Sequence, residues 1–206
     1  MIVNVQFGCG LSAPNGWKNF DASPTLRIQK IPIIGRVLTR HRVTFPAGVC
    51  YGDVLKGLPL KDGEVDNLYC SHVLEHLSHD DFHLALAESY RILKPGGEFR
   101  IVMPDLRAYV KNYLESTSDT ASVAFIRQSM LGVEKRPRGL FSKLIDSYGN
   151  HQHLWLWDEK GTINSLKEAG FKSAESYEFN KTESSAFAEV QDESRFYSAV
   201  SVRCSK

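Results

Sequence analysis

The sequence predicts an α/β fold built on a mostly parallel sheet. Short apolar runs rich in β-branched and aromatic residues alternate with loops, and residues 78–94 carry apolar side chains at helical spacing. Because such strands run parallel, their carboxyl ends meet at one edge of the sheet, where ligands bind in folds of this class. The ends of the predicted strands lie at Gly8, Asp21, Asp53, Ser71 and Asp105.

Length and composition favour one domain over residues 1–206 with a hydrophobic core. The formal net charge is +1, which provides no overall attraction to nucleic acid, so no nucleic-acid partner is expected. Four scattered cysteines without a C-x-x-C pair are typical of reduced thiols in a cytoplasmic protein. No apolar run approaches the length of a membrane span, so no transmembrane segment is expected.

The first predicted strand, residues 2–7, runs into a glycine-rich turn at residues 8–10. Residues 8–13 fit the dinucleotide pattern G-x-G-x-x-G/A. However, Pro-Asn-Gly at 14–16 leaves no room for the helix whose N-terminus would hold a pyrophosphate. The second strand ends at Asp21, whose carboxylate suits a ribose diol. These features favour a nucleoside ligand without a pyrophosphate, of which S-adenosylmethionine is one.

Two further strand ends carry polar residues. Asp53 and Val54 follow the third strand, where the carboxylate can accept from the amine of an adenine and the aliphatic side chain can cover its ring. A simple turn aspartate is the alternative at this position. The fourth strand ends at Ser71 and His72. A helix capped by Ser78 and stopped by the Pro-Gly-Gly at 95–97 precedes a fifth strand.

Two segments interrupt this alternation. Residues 22–46 combine an apolar pattern with basic residues from Arg27 to Arg42 and contain no acidic residue. They form either a solvated basic surface or a lid for an anionic or lipid-linked substrate. The apolar part, Ile31 to Leu38, is a candidate homodimer contact. Residues 106–150 are predicted to be helices joined by loops, with a basic run at 135–138.

Five motifs in this order resemble the class I S-adenosylmethionine-dependent methyltransferases, and most closely their small type-11-like branch. The motifs are Val5–Gly10, Gly16–Asp21, Asp53 with Leu58–Leu60, Ser71–Leu77 and Arg91–Gly97. The resemblance covers about residues 2–105. It implies a Rossmann-like, doubly wound, mostly parallel sheet of seven strands with an antiparallel last strand. It also implies that the insertion at 106–150 lies on the substrate side.

The same resemblance implies a function and its site. The expected activity is methyl transfer from S-adenosylmethionine to a small molecule, with a sugar or a lipid- or nucleotide-linked sugar as the favoured acceptor. The alternative is a non-catalytic, methyltransferase-like binding module that serves a partner protein. The residues expected to bind the cofactor are Phe7, Gly8, Cys9, Gly10, Asp21 (ribose), Asp53 and Val54 (adenine), and Ser71 and His72 (sulfonium).

Histidines are the candidates for a general base at neutral pH. His72 lies at the expected cofactor edge, and His153 lies in an aromatic-rich stretch. The alternative for His72 is a residue that only makes hydrogen bonds in the wall of the cofactor site. The alternative for His153 is a structural role in a chain corner packed by Trp155 and Trp157. Residues 72–76 also fit H-x-x-E-H, a zinc-peptidase pattern that is discounted here because it directly follows a strand. No metal site is assigned, but one alternative stays open: a divalent ion held by Glu75 and His76 with His151 or His153.

Overall fold

The computed structural model describes residues 2–31, 44–134, 152–180 and 185–206. Seven strands form one sheet in the order β3-β2-β1-β4-β5-β7-β6. Every neighbouring pair with assigned register is parallel, except that β7 runs antiparallel to both β5 and β6. This confirms the predicted fold class and the reversed last strand. The strands are β1 Asn4–Phe7, β2 Trp17–Asp21, β3 Val49–Tyr51, β4 Val65–Ser71, β5 Leu93–Pro104, β6 Lys172–Ser176 and β7 Ala199–Ser205.

Five α-helices and three 3-10 turns accompany the sheet in the described part of the chain. The helices are α1 Pro24–Gln29, α2 His79–Ile92, α3 Leu106–Glu115, α4 Ala121–Gln128 and α5 Glu159–Glu168. The 3-10 turns are Leu74–His76, Ala186–Glu189 and Glu193–Phe196. The predicted N-cap is confirmed, since Ser78 Oγ accepts from the N–H of Asp81 at the start of α2. The Pro-Gly-Gly at 95–97, predicted to stop this helix before the fifth strand, lies inside β5, and the helix ends earlier, at Ile92. Within the described ranges, no helix has both the length and the apolar character needed to cross a membrane.

One face of the sheet carries the main hydrophobic core. Alternate strand residues such as Phe99 and Ile101 point to this face and are fully buried. Helix α2 covers them with Phe82 and Leu86, and α5 covers them with Leu166. Phe82 and Leu86 are among the apolar positions expected from the helical spacing of residues 78–94, so their contribution to this face was predictable.

The opposite face lacks a helix between β1 and β2, as the short connection predicted. Buried amides hold the connecting loop instead. The Nε2 of Gln6 donates to Asn19 Oδ1 at 2.6 Å and to the carbonyl oxygen of Ser12 at 3.1 Å. Asn19 donates to the carbonyl oxygen of Trp17 at 3.0 Å. The carbonyl oxygen of Ser12 in the loop is thereby satisfied without a helical hydrogen bond.

A late part of the chain covers the rest of this face. We call residues 185–198, which connect β6 to β7, the cover segment. Its Phe187 packs edge-on against Trp17 and Tyr69. The guanidinium of Arg100 lies over the ring of Phe187, 4.1 Å from its centroid. The cover segment therefore occupies part of the surface that a helix after β1 would otherwise cover.

Both predicted insertions are described in part. Helices α3 and α4 agree with the helical prediction for the start of residues 106–150. The predictions made for Arg36, Arg40 and Arg42, for the basic run at 135–138 and for the apolar segment beyond Ile31 lie outside the described residues.

Candidate active site

A cleft of about 1070 Å³ opens where β1 and β4 end. Residues of the loop after β1 line the cleft, and so do residues of the cover segment. Of the residues expected to bind the cofactor, the cleft is lined by Phe7, Gly8, Cys9, Gly10, Ser71 and His72. Their common position confirms the expectation that strand ends meet at one edge. Whether a residue touches the cofactor remains a prediction for each of them.

The two glycines of the turn differ in what they require. Both adopt the left-handed conformation, with φ of +63° at Gly8 and +54° at Gly10. A Cβ added to Gly8 would lie 2.1 Å from Val73 Cγ2, so packing also excludes a side chain there. A Cβ added to Gly10 would meet nothing within 4 Å. Gly10 thus leaves open space at the cleft, whereas Gly8 allows the turn to pack against Val73.

Asp21 lies directly behind this wall and is only 9% exposed. Its Oδ2 accepts from the N–H of Gly10 at 2.9 Å, and its Oδ1 accepts from the N–H of Ser23 at 2.8 Å. Both of those residues line the cleft. Because each carboxylate oxygen can accept more than one hydrogen bond, Asp21 can hold the loop and still accept from a ligand hydroxyl. Its contact with a ribose stays a prediction.

Cys9 contributes a neutral thiol to the cleft wall. Burial, reinforced by the negative charge of Asp21, raises the pKa of this thiol to about 12. The reactive form of cysteine is the thiolate, which is therefore scarce at neutral pH. Cys9 shapes the wall rather than acting as a nucleophile.

Asp53 and Val54 lie outside the cleft. One oxygen of Asp53 accepts from the N–H of Leu55, and the other pairs with Lys56. Val54 is buried in the main core. The local arrangement is that of a turn aspartate, which was the alternative at this position. The predicted contact of this pair with adenine stays a prediction.

His72 lies between the cleft and a buried group of side chains behind it. Its backbone has φ of +55°, an uncommon conformation for a residue with a side chain. Its Nε2–H donates to the carbonyl oxygen of Arg195 at 2.9 Å, which fixes the ring against the cover segment. Its other ring nitrogen, Nδ1, lies 3.5 Å from Glu75 Oε1.

Behind His72 lies a cluster of three side chains, Glu75, His76 and His153, which we call the histidine–glutamate cluster. The Nε2 atoms of His76 and His153 both lie 4.0 Å from Glu75 Oε1. The side chain of Glu75 is only 1% exposed, and neither of its oxygens has a hydrogen-bond partner among the described residues. The predicted alternative with His151 concerns a residue outside the described ranges.

The main chain brings His153 to this cluster from far along the sequence. The N–H groups of Leu154 and Trp155 both donate to the carbonyl oxygen of Glu75, at 2.8 and 3.2 Å. His153 is consequently 6% exposed. Burial lowers the pKa of its imidazole, against the opposing effect of the Glu75 charge. The same charge adds to burial in raising the pKa of Tyr109 on α3.

Sequence reasoning missed the contribution of the cover segment. Asp192 and Arg195 line the cleft, yet they lie on a short 3-10 turn and its cap, where no apolar periodicity marks an element. For the loop between β1 and β2, by contrast, the sequence does contain a sign of its role. Gln6 and Asn19 are amides inside apolar strands, and buried amides must find partners.

Comparison with known proteins agrees with the fold. Residues 32–101 match a family described as a methyltransferase domain. A methyltransferase from Thermotoga maritima, described as S-adenosylmethionine-dependent and as a possible histamine N-methyltransferase, superposes with a TM-score of 0.52 at 21% identity. The match covers 99% of this chain and 82% of that one. For an S-adenosylmethionine-dependent methyltransferase from Archaeoglobus fulgidus the TM-score is 0.51 at 14% identity, covering 100% and 86%.

No curated protein matches the chain. The family match and the strand order together confirm the resemblance drawn from the sequence: the chain has the fold of the class I S-adenosylmethionine-dependent methyltransferases.

Proposed function

We propose that this chain transfers a methyl group from S-adenosylmethionine to a small molecule. The observation that carries the proposal is the cleft at the ends of β1 and β4, bounded by the glycine turn and the cover segment. Ligands of doubly wound sheets bind at this position. The methyltransferase family match supports the same reading.

The residues of the cleft fit this cofactor. The open space beside Gly10 admits a ligand close to the backbone. We assign the ribose hydroxyls to Asp21, whose carboxylate accepts from the N–H groups of two cleft residues, Gly10 and Ser23, and can accept further hydrogen bonds. Asp192 and Arg195 bring opposite charges to the cleft, which suit the ammonium and carboxylate groups of a methionine moiety.

Bound S-adenosylmethionine supplies a methyl group that is already activated by the sulfonium. The protein therefore has to align the acceptor and exclude water. His72, held against the cover segment by its Nε2–H, is the proposed residue at the methyl end of the cleft. The candidate general base is its Nδ1, the ring nitrogen that does not donate to Arg195. His153 does not line the cleft. We therefore propose that it acts on the reaction as a member of the histidine–glutamate cluster and not as the general base.

The proposed acceptor is a sugar or a lipid- or nucleotide-linked sugar, as the resemblance of the sequence suggests. The test is incubation with methyl-labelled S-adenosylmethionine and a panel of sugars, sugar nucleotides and amines, with detection of labelled product and of S-adenosylhomocysteine. We expect acceptor-dependent product, with a lower kcat in His72→Gln. Cofactor binding without transfer to any acceptor class would instead favour the non-catalytic binding module.

A further inference from the structure

We propose that Glu75, His76 and His153 form a binding site for a divalent transition-metal ion. Glu75 and His76 belong to the 3-10 turn after β4, and His153 belongs to the loop before α5. Their ligand atoms, one from each residue, all lie within 4.8 Å of one another. Binding of the ion is independent of the proposed function. Only the action of the ion on the methyl acceptor rests on that function.

Glu75 is a buried carboxylate whose charge is not compensated by a hydrogen-bond partner among the described residues. A carboxylate buried to this extent is costly unless it is paired or hydrogen-bonded. Neither oxygen of Glu75 has such a partner among the described residues. Its nearest polar neighbours are histidine nitrogens at 3.5 to 4.0 Å. A bound cation would compensate the buried charge.

The imidazoles of His76 and His153 are oriented so that their Nε2 atoms point to Glu75. The Nδ1–H of His76 donates to the carbonyl oxygen of Gln152 at 3.0 Å, and that of His153 donates to the carbonyl oxygen of Ser129 at 2.9 Å. In the neutral ring, each Nε2 then carries a lone pair that faces the Glu75 carboxylate. Lone pairs facing an anion repel it unless a cation lies between them. Donation of the second ring N–H to a backbone carbonyl is also how proteins orient metal-ligating histidines.

The separations of the three ligand atoms are close to those of a tetrahedral metal site. Bonds of about 2.1 Å in a tetrahedral site place ligand atoms about 3.4 Å apart. Each Nε2 lies 4.0 Å from Glu75 Oε1, and all the ligand atoms lie within 4.8 Å of one another, so these separations would have to shorten by about 0.6 to 1.4 Å to close the site. Two imidazoles and one carboxylate favour Zn²⁺, Fe²⁺ or Co²⁺ over Mg²⁺ or Ca²⁺, which prefer oxygen ligands.

The site lies behind the wall of the cleft, since none of its three residues is among those that line the cleft. His72 lines the cleft, and its Nδ1 is 3.5 Å from Glu75 Oε1. Three protein ligands leave at least one coordination position open, as in catalytic zinc sites. If an oxygen of the methyl acceptor reached past His72 to this position, the cation would stabilise that oxygen as it loses its proton.

The test uses the full chain, freed of metal by a chelator and titrated with Zn²⁺, Co²⁺ and Mg²⁺. Binding is followed by calorimetry, by the visible absorption of Co²⁺ and by the midpoint of thermal unfolding. The variants are Glu75→Gln and His153→Asn. The control is His79→Asn, because the exposed His79 and the half-buried His83 lie one turn apart on α2 and could chelate a metal outside the proposed site.

We expect one Zn²⁺ or Co²⁺ per chain, little affinity for Mg²⁺, and unchanged binding in His79→Asn. Glu75→Gln and His153→Asn should each weaken binding by at least ~10–100-fold, the loss seen even when only a supporting group is removed. Without metal, Glu75→Gln should unfold at the same temperature as the parent or higher, because it removes an unpaired buried charge.

The inference is overturned if Zn²⁺ binding disappears with His79→Asn, or if no transition metal binds. It is also overturned if Glu75→Gln destabilises the metal-free protein, since Glu75 would then be paired with charged histidines. Titration with S-adenosylhomocysteine in the same samples separates the two proposals. Cofactor binding without metal binding contradicts only the metal site, and the reverse result contradicts only the proposed cofactor.

Discussion

Gly8 and Gly10 share a turn and a backbone conformation but differ in their surroundings. We expect Gly8→Ala to cost about 2–4 kcal/mol of unfolding free energy, because left-handed strain and overpacking against Val73 add together. Gly10→Ala should cost only about 1–2 kcal/mol, from strain alone. Urea denaturation measures both values.

Val73→Ala provides the control for this comparison. The smaller side chain should recover part of the loss in Gly8→Ala and none of the loss in Gly10→Ala. Equal losses in the two glycine variants, or no recovery with Val73→Ala, would contradict the assigned contact.

Asp66 ties the start of β1 to β5 and gives the stability of the protein an acid dependence. Its Oδ2 accepts from Lys94 Nζ at 2.6 Å and from the N–H of Val3 at 2.7 Å. These bonds, that of Lys94 first, lower the pKa of Asp66 below its ordinary value of 3.8. Since the folded-state pKa is the lower one, the contribution is present above the unfolded-state pKa and is lost as pH falls through the folded-state pKa.

The stability difference between the wild-type protein and Asp66→Asn should therefore be largest near neutral pH and shrink below the ordinary aspartate pKa. Urea unfolding at several pH values measures it. Asp119→Asn, at an exposed loop position, is the matched control and should show no such trend. A difference for Asp66→Asn that stays constant down to acid pH would contradict this account.

Residue roles were predictable where the reason is local. The glycine turn and the strand-end positions of Ser71 and His72 follow from the order of apolar runs and turn residues. The meeting of Glu75 with His153 does not, because it depends on hydrogen bonds between segments almost eighty positions apart. For the metal alternative the sequence left His151 and His153 both open, and only the backbone contacts of residues 153–155 place His153 at Glu75.

At the scale of elements, the cover segment is the least predictable part of the fold. The sequence shows neither helical nor strand periodicity there, and its two 3-10 turns are held by tertiary contacts. The missing helix between β1 and β2 was predictable, since Pro14 and Gly16 follow the turn so closely. That the chain would cover this face from its far end was not.

Phe187 should be the residue that holds the cover segment on the sheet. It is 1% exposed and packs against Trp17, Tyr69 and Arg100. We expect Phe187→Ala to cost about 3–5 kcal/mol of unfolding free energy. Because the cover segment lines the cleft, the variant should also weaken binding of S-adenosylhomocysteine, which calorimetry measures.

The control is Tyr197→Ala, since Tyr197 lies in the same segment but is 74% exposed. Its effect on stability should stay within about 0.5 kcal/mol, and cofactor binding should be unchanged. If both variants bind the cofactor as the wild-type protein does, the cover segment does not close the cofactor site.

At the scale of the whole molecule, strand order follows from a few constraints. Alternation of apolar runs with turns and a helix predicts a parallel sheet, and the resemblance of the motifs adds the reversed last strand. The structure confirms both in the order β3-β2-β1-β4-β5-β7-β6. This arrangement brings the ends of β1 and β4 side by side, which is why one cleft collects residues from the first and the fourth strand.

Calorimetric titration of the purified protein with S-adenosylmethionine, S-adenosylhomocysteine and NAD⁺, repeated with Asp21→Ala, tests whether the cleft binds the proposed cofactor. The account predicts micromolar binding of the first two ligands, weakened or lost in the variant. It predicts no binding of NAD⁺, because the loop after β1 provides no helix N-terminus for a pyrophosphate. Binding of NAD⁺, or of none of the three, would contradict the proposed function.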